Sequence, residues 1–348
     1  MANRLYQWDT TAPPGLLQAF TRQALIFLLL VTLAALVWYT AKVLLLAFAA
    51  VLLAVFLDYL TGKLAGATHL GRGWAFAIVT VGAGILLSLA GWVALPHIAD
   101  QISQLIRSLP QSLERLQSYL NGRGWGRMVL SYLPNVLASS GLAGRISHAL
   151  HLGFYALAGL VEIAVLGVYL GASPSTYDRG LLKLFPGRHR PAARAVFGEV
   201  AYTLRWWILG QLIPMAVLGI ATTIGLYLLH VHLAFTLGLF TGLMIFIPYI
   251  GSLIALIVTA LVSLIQGTAL VLYVVLMFLA IHIAEGYFLT PLVQKRAVYL
   301  PPALTIFGQV LMGILLGFLG LALATPFTAA SLVLVKMLYL HEEPQHHG

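Results

Sequence analysis

The chain has no cysteine, which excludes disulfides, thiolate metal sites and cysteine nucleophiles. Charge is nearly as scarce: 8% of the 348 residues are Asp, Glu, Lys or Arg, against about 25% in soluble domains. A surface facing water on all sides cannot be built from so few charges. With 61% hydrophobic residues, much of the molecule must be covered by lipid, and the reading is an all-α integral membrane protein. Acids are rarer than bases, leaving a formal net charge of +9. That surplus lies between apolar runs, where it sets topology rather than binding nucleic acid. Enzyme signatures are also missing: no His-Glu-x-x-His, phosphate-binding loop, Gly-x-Ser-x-Gly, dinucleotide fingerprint or intramembrane aspartate pair is present. Neither catalysis, a cofactor nor a metal site is expected, and the His-rich residues 341–348 read as a solvated tail.

What is present falls into segments. Residues 1–22 are polar, with Arg4, Asp9 and Arg22, and read as a cytoplasmic tail rather than a cleaved signal. Residues 23–96 read as three transmembrane helices. The first two, 23–41 and 43–57, form a tight hairpin interrupted by Lys42, and 73–96 ends at Pro96. Residues 97–151 differ: Ile98, Ile102, Leu105, Leu109, Leu113, Leu116 and Leu120 recur at steps of three and four among charged residues. This predicts an amphipathic extracytoplasmic helix, kinked at Pro110, lying on the membrane or against a neighbouring subunit. Residues 152–173 form a further span, and 174–205 a basic linker with Arg179, Lys183, Arg188, Arg190, Arg194 and Arg205. The linker is placed in the cytoplasm.

The region 206–340 carries the functional signal. Residues 206–284 and 297–335 contain no Lys, Arg, Asp or Glu. Residues 206–229 are an ordinary span. Residues 233–265, however, would make a single helix ~50 Å long, against a hydrocarbon core of ~30 Å. Pro248-Tyr249-Ile250-Gly251 interrupts them near the middle. Two readings stay open, a re-entrant helical hairpin or a tilted, proline-kinked span. Residues 303–338 repeat the pattern, interrupted by Gly317-Phe318-Leu319-Gly320, with a second break at Thr325-Pro326. Two interrupted segments flanking one span, 268–290, point to a transporter binding site. Candidate pathway or gate residues are therefore Pro248, Tyr249, Gly251, Ser252, Gly317, Gly320 and Pro326.

Three titratable residues are candidates for ion or proton coupling. Glu285 follows nearly eighty uncharged positions, and His282 lies three residues earlier on the same helical face. An interfacial anchor paired with Lys295 or Arg296 is the competing reading of Glu285. Glu162 lies within the span 152–173, where a hydrogen bond to a neighbouring helix competes with a transport role. Gln211 and Gln309 read as contacts between apolar helices. His230 and His232 sit at an aqueous turn and need no special role.

The C-terminal half resembles the autoinducer-2 exporter family, the PerM-like bacterial permeases. The resemblance rests on Ile247-Pro-Tyr-Ile-Gly251 with Gln266-Gly267, and on Glu285-Gly286 with Leu289-Thr-Pro-Leu-Val293 and a basic pair. It rests also on Gly313 followed by Leu316-Gly-Phe-Leu-Gly-Leu-Ala-Leu-Ala-Thr-Pro326. Ser252 and Leu300-Pro301-Pro302 depart from the pattern, where relatives often have Pro and Leu-His-Pro. The resemblance implies about eight membrane-embedded segments in a bacterial inner membrane, export of a small polar signalling molecule, and homo-oligomers such as pentamers. Sodium or lithium/proton antiport is the alternative function, and a non-transporting scaffold the third.

Overall fold

The computed structural model describes residues 14–89, 91–92, 96, 159–289 and 300–339. The amphipathic region 97–151, Lys295-Arg296 and the tail 341–348 lie outside the described residues. Every regular element among the described residues is helical. Among these described residues, five helices are long and apolar enough to cross a membrane, six if one bent pair counts as a span, and two shorter apolar helices accompany them.

Helix α1 covers Pro14–Thr68, and α2 covers Arg72–Leu89. The expected hairpin at Lys42 is overturned: α1 runs through it without a turn, over 55 residues. The physical reason is compositional. No Gly or Pro stands between Gly15 and Gly62, so the chain has no turn chemistry there. Lysine itself is a good helix former, and one charge does not end a helix. Helix α3, Gly159–Ala172, bends by 87° at Ser173 into α4, Pro174–Lys183. Proline at the start of α4 supplies no N–H, which suits the first turn of a new helix. Glycines fit α3 to its neighbours: a Cβ at Gly167 would lie 2.8 Å from Leu53 on α1, and one at Gly171 3.0 Å from Phe76 on α2.

Helix α5, Arg190–Leu228, takes in the second half of the basic linker and the fifth span as one element. Helix α6, Ala234–Met244, and α7, Ile250–Gln266, are the two arms of the first interrupted segment. The break is off-centre, leaving arms of 11 and 17 residues rather than equal halves. The arms fold back on one another, because Gln266 at the end of α7 returns to the start of α6. With its amide oriented to satisfy both neighbours, its nitrogen donates to the carbonyl of His230 (3.2 Å) and its oxygen accepts from the backbone N–H of His232 (3.0 Å). Of the two readings, the helical hairpin is therefore the one observed.

Hydrophobic association does not hold helices together in lipid, so close backbone approach must do more. Gly238 and Gly242 of α6 face Met215, Gly219 and Thr223 of α5. A Cβ at Gly242 would lie 2.8 Å from the Met215 carbonyl, and one at Gly219 3.2 Å from the Gly242 Cα. Leu226, Val231, Leu237, Ala255, Val262, Val274 and Phe278 then form one buried cluster joining α5, both arms of the hairpin and α8, Thr268–Ala284.

Helix α8 passes into a single π-helical turn, Glu285–Leu289. Helix α9, Pro302–Leu338, is interrupted at Gly317, with φ 69° and ψ −151°. Only glycine adopts that combination without strain. The chain reverses there: a Cβ at Gly308 would lie 2.7 Å from the Thr328 hydroxyl, and the Gln309 amide lies 3.3 Å from the Thr325 hydroxyl. In a straight helix residues 308 and 328 would be ~30 Å apart. The second interrupted segment is thus also a helical hairpin. The expected second break at Thr325-Pro326 is absent, and Pro326 is buried inside the second arm. A phenylalanine pair, Phe48–Phe327, packs edge to face at 5.5 Å and ties that arm to α1.

Candidate functional site: a clasped break between two helical hairpins

The turn between α6 and α7 is built from its own backbone. Tyr249 has φ 64° and ψ −62°, and the Ile250 N–H donates to the Pro248 carbonyl at 2.8 Å. An i to i+2 bond across such a residue is a γ-turn, a rare and strained form costing of order 1–3 kcal/mol. The Ser252 hydroxyl donates to the Tyr249 carbonyl (2.9 Å), and Gly251 N–H to the Ile247 carbonyl (2.9 Å). Gly251 is required by lack of space. Any Cβ there would collide with the Met244 carbonyl, where α6 ends. Gly320 has the same place in the second hairpin, pressed against the Met312 carbonyl.

Two glutamines hold this turn from outside. Gln211 on α5 donates its amide to the Ile245 carbonyl. Gln309 on the first arm of α9 donates to the Pro248 carbonyl at 2.9 Å and to the Thr325 hydroxyl at 3.3 Å. The Gln309 side chain is fully buried, and its own carbonyl oxygen has no partner among the described residues. Removing this donor would take one of two hydrogen bonds from the Pro248 carbonyl, at a cost of about 0.5–1.5 kcal/mol. Trp207 packs edge to face on Phe246, within the turn, at 5.4 Å. Tyr249, by contrast, is 51% exposed.

Pro248, Tyr249, Gly251 and Ser252 thus share one turn, and Gln309 connects it to Thr325, next to Pro326. Gly317 and Gly320 lie further along. Eight residues of helix, ~12 Å, separate Gln309 from Gly317. The first hairpin therefore meets the second partway along its arms, not tip to tip. His282 lies in the last turn of α8, and Glu285 follows three residues later as the first residue of the π-helical turn. The His282 ring stacks on Phe278 at 6.0 Å, and its Nδ1 is 2.9 Å from the Phe278 carbonyl. No hydrogen bond joins either residue to the 245–252 turn among the described residues. Glu162 is exposed on α3 and is not part of this site.

Three features escaped the sequence. Gln211 and Gln309 were expected as ordinary interhelical contacts, yet both grip carbonyls freed by the break. A lone amide in an apolar helix, in a chain that also carries a proline break, is the signal that finds them. The γ-turn at Tyr249 has no signal, because tyrosine does not favour positive φ. The π-helical turn begins at Glu285, within a candidate span, and such turns are frequent at functional sites.

A family model described as AI-2E family transporter matches residues 25–339. The chain is 27% identical over 197 residues to a protein of Synechocystis sp. named as transport protein sll0060, covering 51% of this chain and 54% of that one. It is 28% identical over 158 residues to a Bacillus subtilis protein named as transport protein YrrI, covering 45% and 44%. With an Escherichia coli protein named as permease PerM it shares 27% identity over 292 residues, covering 80% and 82%. The match spans about half the length of the first two relatives. Apolar helices long enough to span, two Pro/Gly hairpins joined by Gln309, and a family match over most of the chain lead to one assignment: this multi-pass membrane protein belongs to the AI-2E transporter family.

Proposed function

We propose that the protein is a gradient-driven exporter of a small polar signalling molecule of the autoinducer-2 type, working as a homo-oligomer in a bacterial inner membrane. The observation that carries this reading is the clasp between Gln309 and the Pro248 carbonyl. Backbone freed from helical pairing at membrane depth must be satisfied by protein, water or solute. Here protein satisfies it through a bond between two separate hairpins, so relative movement of the hairpins would expose the same carbonyls to solute. Transporters commonly place their sites at discontinuous helices of this kind.

A second reading, sodium or lithium/proton antiport, is favoured by one observation. Glu285 and His282 lie three residues apart inside a candidate span, and intramembrane acids commonly mark ion paths. Purified protein in liposomes separates the two, with a panel of polar solutes and a lumenal pH dye. Solute-dependent flux with Glu285→Gln flattening its pH profile supports export coupled through the acid. Sodium-driven proton movement without any organic solute supports antiport. If Glu285→Gln keeps the wild-type rate and pH profile, the acid is an interfacial anchor and the coupling role is lost.

A further inference from the structure

A cationic and aromatic cluster lies where the linker meets the first charge-free segment, ~9 Å along α5 from Gln211. The Arg205 guanidinium on α5 stands 5.6 Å from the ring centroids of both Tyr59 on α1 and Tyr202 on its own helix. The Lys63 ammonium approaches the same Tyr59 ring, at 5.9 Å. Two cations thus converge on one ring. Ring faces attract cations but neutralise no charge. The nearest acid on α1, Asp58, is taken by Arg72. Glu199 is six residues from Arg205 on the same helix, about 240° around it at 100° per residue, and cannot reach the guanidinium locally. The Arg205 Nε is buried and has no hydrogen-bond partner among the described residues. Among the described residues the cluster therefore presents two cations with no acid paired to either.

We propose that Lys63 and Arg205, framed by Tyr59 and Tyr202, bind the phosphate of an anionic membrane lipid. Guanidinium and ammonium both match phosphate oxygens, and the tyrosine faces hold Arg205 without consuming its N–H donors. The phosphate comes from lipid rather than from free anion because Arg205 is the last charge before an uncharged stretch of 206–284. That is the level at which headgroups meet basic pockets between helices. This inference is independent of the transport reading.

The test uses the full chain in detergent, titrated with phosphatidylglycerol, phosphatidylcholine or inorganic phosphate. The readouts are lipid retention by native mass spectrometry and thermal stability. Wild type is expected to retain and be stabilised by phosphatidylglycerol over phosphatidylcholine. Lys63→Gln and Arg205→Gln should each weaken this by about tenfold, the loss of one charge-assisted bond. Arg179→Gln, whose guanidinium bonds the Ser175 carbonyl outside the cluster, should stay within about twofold of wild type. Lys63 is exposed, so its substitution reports on binding even if Arg205→Gln folds poorly. Equal retention of the two lipids, or wild-type retention by Lys63→Gln, overturns the site. Stabilisation by inorganic phosphate alone, with none from phosphatidylglycerol, overturns the lipid assignment.

Discussion

The Pro248 carbonyl takes two donors, Ile250 N–H from within the turn and the Gln309 amide from another element. That pairing turns a helix break into a joint. Its cost is carried by two neighbours: Tyr249 in a left-handed conformation, and Gly251 with no room for a side chain. Gly251→Val should therefore destabilise by about 1–3 kcal/mol or more, because the new Cβ meets backbone that cannot move aside. Gly82→Ala is the matched control, since nothing lies within 4 Å of a Cβ there. Thermal unfolding in detergent should fall by several degrees for the first and stay unchanged for the second. Gly251, Pro248 and Gly320 were legible at this scale because glycine and proline announce special backbone. The grip of Gln211 and Gln309 was not, because it depends on which carbonyls a distant segment brings to them.

At the scale of the element, length against bilayer thickness decided most. Residues 233–265 and 303–338 were too long for one span and contained their own turn residues, and both fold back. The sequence could not separate a hairpin from a kinked span, because that choice is made by contacts across the break: Gln266 with His230 and His232, and Gly308 with Thr328. The same reasoning failed at Lys42, where a charge was read as a turn although no turn residue was present. It failed again at Pro326, which packs inside its helix. The second hairpin makes a direct prediction. A Cβ at Gly308 lies 3.8 Å from the Thr328 Cβ, the mean separation in disulfides, ~3.8 Å. The double variant Gly308→Cys, Thr328→Cys should therefore oxidise to an intramolecular disulfide, with no native cysteine to compete. Free thiols persisting under oxidant would show a straight α9 instead.

For the whole molecule, the contact of Arg205 with Tyr59 brings the end of α1 and the start of the charge-free core to one side. The positive-inside bias predicts the 174–205 linker and Lys295-Arg296 in the cytoplasm and residues 97–151 opposite. Cysteines replacing Ser118 and Arg190 should then react differently with an impermeant thiol reagent on intact cells, 118 labelled and 190 protected. The reverse pattern would invert the topology. The multi-pass, all-helical class was readable from composition alone, and the family from three motifs. Substrate and coupling ion are not written in apolar periodicity, since they depend on which polar groups face the pathway during movement.

The central claim is that the clasped turn at 245–252 lies on the transport pathway. Tyr249 allows it to be tested without disturbing the core, because its side chain is half exposed. Tyr249→Cys, reconstituted in liposomes, can be modified with a bulky thiol reagent while solute flux is followed. The account predicts that complete modification lowers flux at least about tenfold, the effect of raising a barrier by ~1.4 kcal/mol, and that transported solute slows the modification. Full flux after complete modification, with no protection by solute, would contradict it.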